Sequence, residues 1–88
     1  MARIKKPSNV VGPQIRKRRY ELGLTQEQLA ARCQLKGLDI SRATLSQIEA
    51  QVRCVKDLEL FRLASVLKVS TDSLFPADLR RRRRQAKP

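Results

Sequence analysis

Ten residues, Glu21-Leu22-Gly23-Leu24-Thr25-Gln26-Glu27-Gln28-Leu29-Ala30, constrain this chain more than any other stretch, because they end one helix, turn the backbone and start another. Gly23 can take the left-handed conformation that closes a helix. Thr25 and Gln28 have the spacing of a capping box, and Leu24 and Leu29 stand where a hydrophobic staple would join them. The same grammar recurs at Ser41, an N-cap residue flanked by the staple pair Ile40 and Leu45. Short, well-punctuated helices must therefore follow one another here.

Periodicity and punctuation extend this to an all-α reading with five helices and no strand. Gly12-Pro13 opens the first helix, with proline at a position where its missing N–H costs nothing. Ile15, Arg19 and Leu22 recur at helical spacing on its inner face, and Arg16, Lys17 and Arg18 face elsewhere. The second helix runs from Thr25 to about Leu35 over Leu29, Ala30 and Cys33, and Gly37 ends it. The third spans roughly Arg42 to Ala50 and turns Leu45 and Ile48 inward. The fourth, about Asp57 to Val69, is expected to bury Leu58, Phe61, Ala64 and Leu67, with Leu60 and Leu63 alongside. Asp57 and Glu59 suit its N-terminal dipole. Ser70 caps a last short helix in which Phe75 plugs the core and Pro76 is the stop. The organisation is thus a flexible basic arm over 1–11, one helical domain over 12–76 and an arginine-rich tail over 77–88.

Charge narrows the function. The chain carries +12 at neutral pH, yet residues 13–78 hold only +3 of it, so most of the field comes from the two ends. That is the electrostatic footprint of a polyanion binder. Five consecutive arginines, Arg80, Arg81, Arg82, Arg83 and Arg84, exceed what solubility needs. No apolar run approaches a membrane span and no hydrophobic signal segment is seen, so no membrane partner is expected. Histidine is absent, which removes the commonest general base and any Cys/His zinc site. Cys33 and Cys54 read as a small buried residue and a loop residue rather than a disulfide. The three glycines are scattered, so no phosphate loop is present. No enzyme, metal or cofactor is expected.

A capped pair of short helices joined by a turn reads as a helix-turn-helix, and the second of the pair leaves Arg42, Ala43, Ser46 and Gln47 pointing outward. Polar residues there can enter a major groove. Arg42 can donate two hydrogen bonds to guanine and Gln47 can pair bidentately with adenine. Arg53 and Lys56, just past that helix, are candidates for phosphate contacts.

At this point the chain resembles the Cro/repressor (XRE-like) helix-turn-helix domains. The matching elements are Arg19 to Ala30, then Ile40-Ser41-Arg42-Ala43-Thr44-Leu45-Ser46-Gln47-Ile48-Glu49, then Leu63 to Phe75. The resemblance implies a compact five-helix lambda-repressor-like DNA-binding domain. By position, it puts Arg42, Ala43 and Gln47 where family members read base edges. Gln26 falls where the family contacts phosphate and braces the recognition helix, and Arg19 with Glu49 falls on a frequent interhelix salt bridge. Ser41, Thr44, Ser46, Arg53, Lys56 and Arg80 to Arg84 complete the expected backbone contacts. The chain departs from the pattern twice. The turn between Cys33 and Ile40 is longer than usual, and Ala50-Gln51 stand where the family often has glycine, so that helix end is expected to be extended or strained.

The expected function is a sequence-specific double-stranded DNA-binding transcriptional regulator, prokaryotic or phage-like, cytoplasmic and nucleoid-associated. Homodimerisation is expected to be weak or DNA-dependent. An antitoxin-like or adaptor protein with a protein partner is the alternative. A nonspecific RNA binder is a third class, disfavoured because one Tyr and two Phe offer few stacking platforms.

Overall fold

Four helices end in one geometry, and that geometry sets the turns on which everything else is mounted. The computed structural model describes residues 6–79. Within it lie α1 (Gly12–Glu21), α2 (Gln26–Leu35), α3 (Arg42–Glu49), α4 (Asp57–Leu67) and a 3₁₀ turn (Asp72–Leu74), with no strand among the described residues. Arg3, Lys5 and Arg80 to Arg84 lie outside them.

Each α-helix closes with paired Schellman hydrogen bonds. After α1, Gly23 N–H donates to Tyr20 O and Leu24 N–H to Arg19 O; after α2, Gly37 N–H donates to Gln34 O and Leu38 N–H to Cys33 O. Both glycines take positive φ, 69° and 89°, as this motif requires. After α3 and α4 the same bonds form with Gln51 and Lys68 in the left-handed position, φ 65° and 62°. The strain expected at Ala50-Gln51 is thus located at Gln51.

Helix starts follow the local sequence. Thr25 and Gln28 form a reciprocal capping box at 3.0 and 2.9 Å. Ser41 Oγ accepts the Thr44 N–H at 3.1 Å. Both staple pairs are buried, Leu24 with Leu29 and Ile40 with Leu45. The long turn from Lys36 to Ser41 is braced: Gln34 Nε2 donates to Ile40 O at 3.0 Å, and Arg62 Nη1 reaches from α4 to Lys36 O at 2.8 Å.

The core gathers Ile15, Leu29, Cys33, Leu45, Ile48, Leu63, Leu67 and Leu74, all at most 2% exposed. Burying side chains of this size contributes about 1.5–3 kcal/mol each.

Three expectations are corrected. Leu58 and Phe61 are not core residues but stand 67% and 63% exposed. Two apolar stripes on α4 overlap at Ala64 and Leu67, and packing selects the one through half-buried Leu60 and buried Leu63. The last turn is plugged by Leu74, with Phe75 only half-buried. Pro76 ends that turn and also starts another, since residues 77–79 are helical and Leu79 N–H donates to Pro76 O at 3.1 Å. At the other end, Ser8 to Val11 do not form a flexible arm. Val11 is 3% exposed in the core, and Ser8 N–H donates to Gln51 O at 2.9 Å.

Candidate nucleic-acid interface

α3 is short, and its two faces differ sharply. Leu45, Ile48 and Glu49 are buried, whereas Arg42, Ala43 and Gln47 are exposed and Thr44 and Ser46 are half-buried. Because residues three and four positions apart are neighbours on a helix surface, Ser46 beside Arg42 and Ala43, and Gln47 beside Ala43, join the four into one outward patch. Ser41 and Thr44 hold the start of the helix, and their hydroxyls bond each other at 3.1 Å.

The orientation of that patch is fixed by a charge pair beneath it. Arg19 Nε donates to Glu49 Oε2 at 2.7 Å and Arg19 Nη2 to Glu49 Oε1 at 2.9 Å, joining α1 to the last turn of α3. Arg19 Nη1 also donates to Leu24 O at 2.9 Å. Both side chains are almost fully buried, and the hydrogen bonding to Glu49 raises the pKa of Arg19 against the opposing effect of burial. Gln26 joins the network through Nε2 to Glu49 Oε1 at 3.1 Å. One amide N–H of Gln26 is thereby used, and the second can donate to an external oxygen.

These elements enclose an open cleft between α1, the start of α2 and α3, lined by Arg16, Tyr20, Gln26, Arg42 and Ser46 among others. Arg16, Arg42 and Gln26 line it beside the acidic Glu27, and their N–H groups are donors that an anionic oxygen such as a phosphate's can meet. Ala43 and Gln47 sit outside the cleft lining, further round α3.

Tyr20 belongs to the site although it was not singled out in the sequence. Its ring lies 4.7 Å from the Arg19 guanidinium carbon and 5.4 Å from that of Arg16. Arg16 Nε and Nη2 donate to its hydroxyl at 3.2 and 3.1 Å, which lowers the pKa of the phenol. The spacing of Arg16 and Tyr20, one helical turn apart, is the signal that could have found the pair.

Arg53 and Lys56 are placed differently. Arg53 Nη1 and Nη2 are paired with Glu59 Oε1 and Oε2, both at 3.0 Å, and Nη1 also bonds Cys54 O at 2.9 Å. Its charge is already compensated. Lys56 is exposed at the start of α4, where its backbone N–H donates to Glu59 Oε1 at 3.0 Å. Among the described residues no cluster of His, Cys, Asp and Glu could hold a metal, and no helix is long and apolar enough to cross a membrane.

The helix-turn-helix family model matches residues 15–74, which includes α2, α3 and the cleft between them. Among solved structures, the crystal structure of hypothetical transcription factor NHTF from Neisseria is similar in fold. Its TM-score is 0.68 at 24% sequence identity, over 93% of each chain. No curated protein matches the chain.

Proposed function

The chain belongs to the XRE-type helix-turn-helix family, and from that premise we propose that it is a transcriptional regulator that binds double-stranded DNA in a sequence-specific way. One observation carries the reading: α3 turns Arg42, Ala43 and Gln47 to solvent as one patch while a buried ion pair clamps its other face. Arg42 reads guanine through two N–H donors, Gln47 reads adenine, and the Ala43 methyl packs against thymine. Gln26, Ser41, Thr44, Ser46 and Lys56 contact the backbone around them. Arg53 contributes as a brace of the loop rather than as a free cation, because Glu59 holds it.

Affinity comes from charge and discrimination from α3. Neutralised phosphates release counterions without regard to sequence, and the base edges are read only by groups that reach into the groove. Residues 79–88 carry a net +6, and Arg80 to Arg84 supply part of the sequence-independent attraction. The DNA is engaged by a homodimer that assembles on it, in a cytoplasmic, nucleoid-associated setting.

Selection of a preferred duplex from a random pool, followed by titration at two salt concentrations, tests the reading. A preference that survives the higher salt supports it, and equal affinity for preferred and random duplexes overturns it. Gln47→Ala should then relax discrimination at one or two base pairs by about 1–3 kcal/mol. Truncation after Asp78 should shallow the slope of log affinity against log salt by roughly 3–4.5 units, at ~0.9 per phosphate contact.

A further inference from the structure

The segment before α1 lies outside the family match, yet its Asn9 side chain ties it to the far end of α3. Asn9 Nδ2 donates to Ile48 O at 3.0 Å and to Arg53 O at 2.8 Å, partners 39 and 44 positions away. Its Oδ1 accepts the Gly12 N–H at 2.8 Å. Both amide hydrogens and the carbonyl of the side chain are thus engaged. Gln51 answers from the other side: its Nε2 donates to Asn9 O at 2.9 Å, and its own carbonyl accepts the Ser8 N–H at 2.9 Å. Gly12 completes the contact, because any side chain there would run into the Ile48 carbonyl.

Ile48 O belongs to the last turn of α3, where it also accepts the Gln51 N–H at 3.0 Å. Arg53 O belongs to the loop that leads from α3 to α4. One planar amide that bonds both carbonyls fixes the spacing between the end of α3 and that loop, and ties both to the start of α1. Gln51 holds a left-handed backbone, φ 65°, that is strained for a non-glycine residue, and its side chain is the one that grips Asn9.

We propose that Asn9 is a positioning residue for base reading. Acting through Ile48 and Arg53, it sets the angle at which α3 meets DNA and holds the α3–α4 loop ordered in advance. Arg42 and Gln47 then arrive at the groove in one geometry. The proposal rests on the DNA-reading role of α3 given above. Without the clamp, the backbone at Arg53 gains freedom that must be given up when the specific complex forms. Nonspecific attraction, which depends on charge alone, does not require that order. Fixing about one further backbone residue on binding weakens specific association by roughly tenfold.

Two variants of the full chain test this. Asn9→Ser can still accept the Gly12 N–H but is too short to reach either carbonyl. Gln51→Gly removes the grip on Asn9 while relieving the left-handed backbone, so it keeps the fold. Each is titrated with the duplex that the unmodified chain selects and with a random duplex, at a temperature where circular dichroism shows it folded. The expected result is a preferred-to-random affinity ratio lower by roughly tenfold for Asn9→Ser, and by a smaller factor for Gln51→Gly, with random-duplex affinity unchanged. A purely structural role would lower the unfolding temperature and leave that ratio intact, and this result overturns the proposal. If Asn9→Ser does not fold, Gln51→Gly decides alone, with an unchanged ratio counting against the clamp. Failure of the DNA reading itself is separate, because it shows in the unmodified chain as the lack of any selected duplex.

Discussion

Glu49→Ala removes one half of the pair that joins α1 to α3, and the consequence can be worked from the geometry. The Arg19 and Glu49 side chains are 7% and 4% exposed, so the remaining guanidinium cannot recover solvent in place of its partner. It loses two charged hydrogen bonds and keeps Nη1 to Leu24 O and the Tyr20 ring at 4.7 Å, while Gln26 loses its acceptor. Breaking a buried pair on one side costs about 3–5 kcal/mol. Domains of this size total roughly 4–13 kcal/mol, and Tm shifts by about 4–8 °C per kcal/mol, so a fall of roughly 12–40 °C is expected. The double replacement Arg19→Met with Glu49→Leu leaves no buried charge, and should lie within about 1 kcal/mol of the unmodified protein. Urea unfolding of the unmodified protein, Glu49→Ala and the double variant at constant m-value measures this directly. A loss below about 1 kcal/mol for Glu49→Ala, or a double variant no more stable than the single one, would show that the pair is not desolvated as described.

The remaining expectations concern single positions. Lys68→Gly should raise stability by about 0.5–1 kcal/mol in urea unfolding, because the left-handed backbone at φ 62° costs lysine more than glycine loses in entropy. Gly12→Ala should lower it by more than about 1 kcal/mol in the same assay, since the added methyl meets the Ile48 carbonyl and overpacking costs typically 1–3 kcal/mol. The hydrogen bond from Arg53 holds the carboxyl pKa of Glu59 below the ordinary value, so its contribution is full above the unfolded value near ~4.3 and is lost as pH falls through the folded one. Unfolding followed down in pH should show a shallower acid loss in Arg53→Met. Burial pushes the Cys33 thiol up to about 11; its share of stability is present below the unfolded thiol pKa and fades as pH rises towards the folded value. In the native state a thiol reagent should modify exposed Cys54 and spare Cys33, and equal labelling rates would contradict the packing.

Much of the fold was legible because its signals are local. Thr25 with Gln28, Ser41 with Thr44, and Gly23 and Gly37 each act within a few residues, so their geometry follows from short-range hydrogen bonding and backbone sterics. The outward set on α3 was legible for the same reason, since Leu45 and Ile48 fix the helix phase. Spacing put Arg19 on the inner face of its helix, resemblance to a known family paired it with Glu49, and only the structure supplies their two-bonded geometry, the Gln26 bond to Glu49 and the participation of Tyr20.

What sequence could not decide are choices between locally equivalent options. On α4, Leu58 and Phe61 have the same helical credentials as Leu60 and Leu63, and only the position of α2 and α1 selects which stripe is covered. Arg53 was a free cation in sequence and became the partner of Glu59 in space. Asn9 gave no long-range signal, because the two carbonyls its side chain bonds on α3 and the following loop lie 39 and 44 residues on. The chain by itself determined where helices start and stop, through energies set within one turn of backbone. The tertiary structure alone decided which faces are buried, which charges are compensated and what holds the end of α3, since those depend on groups that meet only after the helices pack.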